Sequence, residues 1–208
     1  MKKISLLVIL ILTTITFLNT AKAGGKGSEN SFDEGKVVVS GGYGAPWLTA
    51  SYFSSYSSNT NYSLKSFGPG YLKLEYGVTS WVGVGFNWAF ANADINYTVA
   101  DGSYVEKHTA SFTTMSFLGR VNFHFLPDNE KIDLYGGLGM GYRSGGWTFK
   151  STSTNPSYVP SDGTTPTLIP IGFEITLGGR YYFTPNIGMY AEIGLAKSPF
   201  QIGLCAKF

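Results

Sequence analysis

Cysteine occurs once in the 208 residues, as Cys205, so no internal disulfide can staple the chain. Charge is also scarce. Asp, Glu, Lys and Arg make up 13% of the residues, about half of what a soluble globular chain carries. There is no cluster of Lys and Arg of the kind that tracks a phosphate backbone, which excludes a nucleic-acid partner. Histidine is limited to His108 and His124, on separated segments with no Cys or carboxylate at ligand spacing, so no zinc centre is expected. Beyond the N-terminal region no segment shows a helical period. What remains is glycine (27 residues), tyrosine (14) and phenylalanine (15), arranged with a period of two.

The N-terminus carries an address. "MKKISLLVILILTTITFLNTAKA" has Lys2 and Lys3, then an apolar stretch from Ile4 to Leu18, then the small-x-small triplet Ala21-Lys22-Ala23. This reads as a signal peptide over residues 1–23, too short and too rich in Thr for a spanning helix. No Cys follows the cleavage point, which argues against a lipid anchor. The mature chain is expected to begin near Gly24, with a short flexible segment over 24–35 and one domain over 36–208. Loss of Lys2, Lys3 and Lys22 leaves 12 basic against 13 acidic residues, so the basic balance of the precursor disappears on export.

Alternation of apolar and polar residues runs through the rest, as in strands with two unlike faces. In "PFQIGLCAKF" Ile202, Leu204, Ala206 and Phe208 oppose Gln201, Gly203, Cys205 and Lys207. The same pattern holds in "NIGMYAEIGLAK", "TLIPIGFEITLGGRYYF", "KIDLYGGLGMGYR", "MSFLGRVNFHF", "WVGVGFNWAF" and "YLKLEYG", and more weakly in "KVVVSGGYG". Eight strands are therefore expected. Short links ("GVTS", "LPDNEK", "FTPN") alternate with long ones, and "LPDNEK" and "FTPN" carry turn-forming Pro with Asn or Asp. An all-β, eight-stranded antiparallel up-and-down barrel follows, with the long loops at one end and both termini at the other.

The polar parity decides which solvent wets the outside. It is mostly Gly, Ser, Asn and Ala, punctuated by Lys73, Glu75, Arg120, Glu174, Arg180 and Glu192. A soluble lipocalin-like barrel would need a Lys/Glu-rich exterior, whereas this composition suits the inside of a narrow barrel. Glu75, Glu174 and Glu192 are expected to pair with Lys73, Arg120 and Arg180 and so to plug the lumen. Aromatics of the apolar parity gather near strand ends. Tyr76, Phe125, Tyr181, Phe183 and Phe208 lie at the short-turn end, and Trp88, Phe90 and Tyr142 lie toward the loops. Two such girdles mark a transmembrane barrel facing lipid.

In strand count and loop rhythm the mature chain resembles the small OmpA/OmpX-type outer-membrane β-barrel proteins of Gram-negative bacteria. The most specific match is the terminal strand, where the family's assembly signal falls on Gln201, Gly203, Ala206 and Phe208. Ala206 departs from the pattern, being smaller than the usual residue. The resemblance implies a monomer set in outer-membrane lipid and lipopolysaccharide, with periplasmic termini and a last strand read by the barrel assembly machinery. It also implies a structural or adhesive role at the cell surface.

Other chemistry is thin. "GGLGMG" (Gly136 to Gly141) lies mid-strand instead of opening a helix, so it leaves inward space and does not cradle phosphate. His124 is inward near the short-turn end with no Ser and acid at matching spacing, so no catalytic set is expected, and no cofactor or metal. A narrow pore, a lipid-modifying enzyme and a soluble binding barrel stand as alternatives. The long loops "APWLTASYFSSYSSNTNYSLKSFGPG", "NADINYTVADGSYVEKHTA" and "SGGWTFKSTSTNPSYVPSDGTTPT" are rich in Tyr, Ser, Thr and Asn, a composition suited to a surface ligand.

Overall fold

The computed structural model describes residues 30–46 and 48–208. The expected signal peptide and the mature start near Gly24 lie outside them. The strands are β1 (Val37–Ala45), β2 (Thr60–Gly77), β3 (Val82–Asp101), β4 (Tyr104–His124), β5 (Ile132–Ser153), β6 (Gly163–Pro166), β7 (Ile171–Tyr182), β8 (Ile187–Leu195) and β9 (Phe200–Lys207). Eight of them close a barrel in the order β4-β3-β2-β1-β9-β8-β7-β5, with β5 returning to β4 and every pair antiparallel. The short β6 adds only to the outer part of β5. Closure leaves no unpaired edge around the barrel wall, the condition a hydrocarbon solvent imposes.

The C-terminus completes that closure. Val37 donates its amide to the Phe208 carbonyl at 3.0 Å, and Phe208 donates back to the Val37 carbonyl at 2.9 Å. First and last strands are thus zipped together from Val37 to Phe208, and the apolar parity of the last strand continues the outer face of the wall.

Side chains obey the expected parity. Phe117, Ile175 and Ile193 are 51%, 51% and 53% exposed on the outside, whereas Arg120, Glu174 and Glu192 are buried inside. On β4 and the turn after it the oily outer face runs from Met115 to Phe125. About ten residues at 3.3 Å rise, tilted some 40°, cover about 25 Å, the height of the apolar band of such barrels. The protein is an eight-stranded transmembrane β-barrel.

Three expectations are corrected. First, the link between β3 and β4 is no long loop: both strands continue far past the barrel rim and join at the two-residue turn Gly102-Ser103, where Asp101 faces Tyr104. Gly102 has φ +59°, a left-handed conformation open to glycine. β2 and β5 are lengthened in step, to 18 and 22 residues. Second, the link between β1 and β2 holds a short helix, α1 (Leu48–Phe53), followed by a 3-10 turn, Ser54–Tyr56. Six residues are fewer than two helical turns, too few to show a period. Third, the described part of the segment expected to be flexible is docked. Ser31 bonds Asn129 and Ile132, and Phe32 is fully buried beneath the barrel. Phe32 finds an aromatic partner there, which the sequence pattern does not reveal.

The prolonged strands reverse their polarity. The row Phe90–Met115–Ser144 is the crossover. Below it, toward the short turns, the outer face carries Trp88, Phe117 and Tyr142, and the inner face Asn87, Ser116 and Arg120. Above it Asn92 and Thr113 point outward, while Ala91, Ala93, Ile95, Ala110 and Phe112 are buried on the inner face. Oil outside becomes oil inside within two residues. That is the signature of a chain leaving lipid for water, and it sets one surface of the membrane. Because β7, β8, β9 and β1 stop near this level, the sheet above is open, and its apolar inner face needs a cover. α1 supplies it, with Ala50 and Phe53 one turn apart on the face turned to the cluster.

Candidate functional site

Two features stand inside the molecule, one on each side of the crossover row. The lower is the lumen. Glu192 on β8 anchors it: Oε2 lies 2.7 Å from Lys73 Nζ, and Oε1 lies 3.0 Å from Arg120 Nη2 and accepts from the Tyr135 hydroxyl at 2.8 Å. Arg120 also reaches Glu174 at 3.1 Å, Asn122 at 2.7 Å and Thr176 at 2.8 Å. Asn87 donates to the second oxygen of Glu174 at 2.7 Å, and Lys73 to Gln201 at 2.8 Å.

Nearer the short-turn end Arg180 pairs with Asp133 at 2.9 Å and with Glu75, and its guanidinium lies 4.4 Å over the Tyr135 ring. His124 bridges the same two carboxylates, Nδ1 2.6 Å from Asp133 and Nε2 2.9 Å from Glu75. An ionised carboxylate only accepts, so with Asp133 and Glu75 both ionised each ring nitrogen donates and the ring is an imidazolium. Lys73, Arg120, Arg180 and His124 then balance Glu75, Asp133, Glu174 and Glu192. Unpaired, any of these buried charges would be costly.

All six charged residues singled out in the sequence sit in this network. Asp133 and His124 complete it; both have inward parity, but only the fold shows that they share Glu75 and Arg180. Glycines give the network its room. A Cβ on Gly139 would meet Glu174 Cγ at 2.7 Å, and one on Gly178 would meet the Tyr135 ring at 2.6 Å. A void of about 10 Å3 remains among Lys73, Glu75, Arg120, Asn122, Arg180 and Glu192, room for about one water.

Of the proposed assembly-signal residues, Gln201 points into the lumen as a partner of Lys73, and Gly203 faces Gly42 across the β1–β9 pair. A Cβ on Gly203 would come within 2.6 Å of the Tyr190 ring, so this glycine also serves lumen packing. Ala206 is half-buried, and Phe208 is exposed in the aromatic girdle at the short-turn end.

The upper feature is an aromatic cup between α1 and the inner face of the sheet above the crossover row. Its cavity measures about 560 Å3. Phe53, Ile95, Ala110 and Trp147 form its apolar base, and Phe53 meets Trp147 edge-on at 5.2 Å. On the β3–β4 side Tyr56, Tyr97 and His108 stack in sequence, with centroids 5.4 and 5.1 Å apart. On the β5 side Trp147 and Phe149 lie parallel at 5.9 Å. The Tyr62 hydroxyl donates to the Phe53 carbonyl at 3.0 Å and ties the helix end to β2. Sequence reading placed His108 and the Tyr-rich segments in loops and did not see this cup, which assembles from five separate stretches.

Between the two features Lys197, in the β8–β9 turn, donates to Thr114 at 3.0 Å. Burial, and secondarily the neighbouring Arg143, pull its ammonium down to about 8.

His124 is enclosed and held by two carboxylates, so it is not free to act as a base at the lipid surface. Among the described residues no group of three or more His, Cys, Asp and Glu is placed to hold a metal ion.

Fold and interior together define a class, the closed eight-stranded antiparallel transmembrane β-barrels, here with a lumen filled by side chains. No protein-family model matches the chain, and no curated protein does. Solved structures are similar. Ail, the attachment invasion locus protein of Yersinia pestis, is 17% identical over 84% of this chain and 99% of its own, with a TM-score of 0.46. OprG of Pseudomonas aeruginosa is 14% identical over 85% of this chain and 97% of its own, with a TM-score of 0.45. The N-terminal β-barrel domain of OprF from the same organism is 16% identical over 85% and 98%, with a TM-score of 0.31.

Proposed function

We propose that this is a non-enzymatic, monomeric cell-surface protein whose barrel is a closed anchor and whose extracellular sheet and loops perform structural or adhesive contacts. The observation that carries this reading is the interior: four cations and four carboxylates fill the lumen and leave about 10 Å3 among them. A hydrated ion has no path through such packing. The working surface is then the part that projects into external water, where β2 to β5 extend beyond the membrane. The N-terminal 23 residues act as a cleaved export signal, both ends of the mature chain are periplasmic, and lipopolysaccharide surrounds the outer girdle. Gln201, Gly203, Ala206 and Phe208 are offered to the barrel assembly machinery as the strand zips to Val37.

Planar-bilayer recording of the purified protein tests the closed anchor. Brief or absent conductance is expected, and steady ohmic conductance would replace this reading with the narrow pore. Replacing residues 92–112 with a tight turn then tests the working surface: cell adhesion should fall while membrane insertion persists, and unchanged adhesion refutes the contact role.

A further inference from the structure

We propose that the extracellular cup is a binding site for a small, flat, predominantly apolar ring compound. This goes beyond surface adhesion, because it assigns a small-molecule ligand to a site apart from any cell contact. Size is the first ground: about 560 Å3 falls within the range of small-molecule pockets, about 300–1,000 Å3.

The second ground is the geometry of its walls. Rings of Tyr97 and His108 lie within 20° of parallel, and those of Trp147 and Phe149 within 4°. Planar faces of this kind bind planar partners by offset stacking and edge contacts. The base adds Ile95 and Ala110, which offer no hydrogen bond.

The third ground separates ring compounds from sugars. A sugar carries hydroxyls all round its rim and needs a matching set of free donors and acceptors, since each one left unpaired on burial is costly. Polar atoms of Tyr, Thr, Ser, His and Lys side chains sit among the lining residues, and several of them already have partners. His108 Nε2 lies 3.2 Å from Glu106, the Ser151 hydroxyl accepts the Ser161 amide at 2.8 Å, and the Ser151 amide donates to Asp162 at 2.9 Å. Such a site holds an apolar body and reads one polar edge, near His108 and Lys150.

Location supplies the fourth. The cup lies above the Phe90–Met115–Ser144 row, so its ligand comes from external water and not from the bilayer. The inner face of the sheet would be apolar with or without a ligand, but the α1 cover is only partial. Ala50 and Phe53 seal the lower part, and the ring-lined upper part stays accessible.

The test uses the full mature protein in lipid nanodiscs, titrated calorimetrically with 2-naphthol, with methyl glucoside as the comparison probe. Saturable binding of one naphthol per protein is expected, with the glucoside giving no heat. Ala110→Trp, which fills the base, should weaken naphthol binding at least about tenfold, a change of about 1.4 kcal/mol. Thr165→Trp narrows the cup from an exposed position on β6 that bears no load in the barrel, and should do the same. If Ala110→Trp does not insert, Thr165→Trp decides. Equal uptake by the unaltered protein and the filled variants would mean lipid partition and overturn the site. Glucoside binding tighter than naphthol would overturn the ligand class.

Discussion

Phe32 lies flat on His124, ring centroids 3.5 Å apart and planes 5° from parallel. The N-terminal segment therefore closes the short-turn mouth of the barrel, laying an apolar face over a histidine held by two carboxylates. Lys207 secures the segment from the other side, donating to the Asn30 carbonyl at 2.5 Å. Phe32→Ala removes a fully buried ring and opens water access to Glu75 and Asp133. We expect a loss of about 3 kcal/mol, the scale of Phe deletions from packed cores, read as an earlier urea unfolding midpoint. An unchanged midpoint would show that the segment is not a structural cap.

Glu192 serves Lys73 and Arg120 together, so removing its charge strands two cations. Glu192→Gln should destabilise the barrel by about 3–5 kcal/mol, the cost of breaking a buried pair from one side. Adding Lys73→Met restores the balance, because Arg120 keeps Glu174. The double variant should thus be more stable than the sum of the two single losses implies. Simple additivity in unfolding titrations would deny the network.

Glycine on the inner parity is a packing residue in one place and dispensable on the outer parity in another. Gly178→Val drives a side chain into Tyr135, which is fully buried between Arg180 and Arg120. It should sharply reduce the fraction that reaches the heat-modifiable folded form on a detergent gel. Gly119→Ala meets only the Met140 carbonyl at 3.7 Å on the lipid side and should fold as the unaltered protein does. Equal yields would mean that the lumen is looser than this packing.

Lys197 gives a pH dependence with a defined sign. Its folded value, about 8, lies below that of an exposed lysine, so between about 8 and 10.5 the unfolded chain binds the extra proton. Stability should rise with pH across that window and be flat for this group below it. Lys197→Met should remove this group's share of the rise and make the slope across that window shallower. Methyl-labelled lysine NMR should report a midpoint near 8, and an ordinary lysine midpoint would show the site to be solvated.

Legibility in the sequence followed amplitude. In the membrane, alternation pits Phe, Ile and Leu against Gly and charge, so strand number, parity and the six charged lumen residues could be read directly. Above the membrane the inner face of β3 begins with Ala91 and Ala93, too small to contrast with Asn92 and Asp94, and the strand passes for a loop. The polarity reversal hid it further, since the same parity that is polar below becomes apolar above. α1 spans fewer than two turns and offers no period. Phe32 looks like any linker residue until His124 is beneath it. The cup was invisible for a different cause: its base and walls come from α1 and the turn after it, β3, β4, β5 and the β6 stretch, which only the fold brings together.

The reversal itself can be measured by depth. Leu138 is 51% exposed at the middle of the oily band, paired with Val121 on one side and Ile175 on the other. An arginine there must enter hydrocarbon, so Leu138→Arg should cost about 2–4 kcal/mol in lipid-vesicle folding titrations. Thr113 lies on the same outer surface but just above the Phe90–Met115–Ser144 row, where that surface already carries Asn92. Thr113→Arg should cost about 0–1 kcal/mol, as expected near the interface. The difference depends on lipid, because in water both substitutions place a charge on an exposed strand face and would be nearly neutral. Equal small costs would mean that the apolar exterior is not in a bilayer. Equal large costs would mean that the membrane surface lies higher than the crossover row and that the sheet above it is embedded.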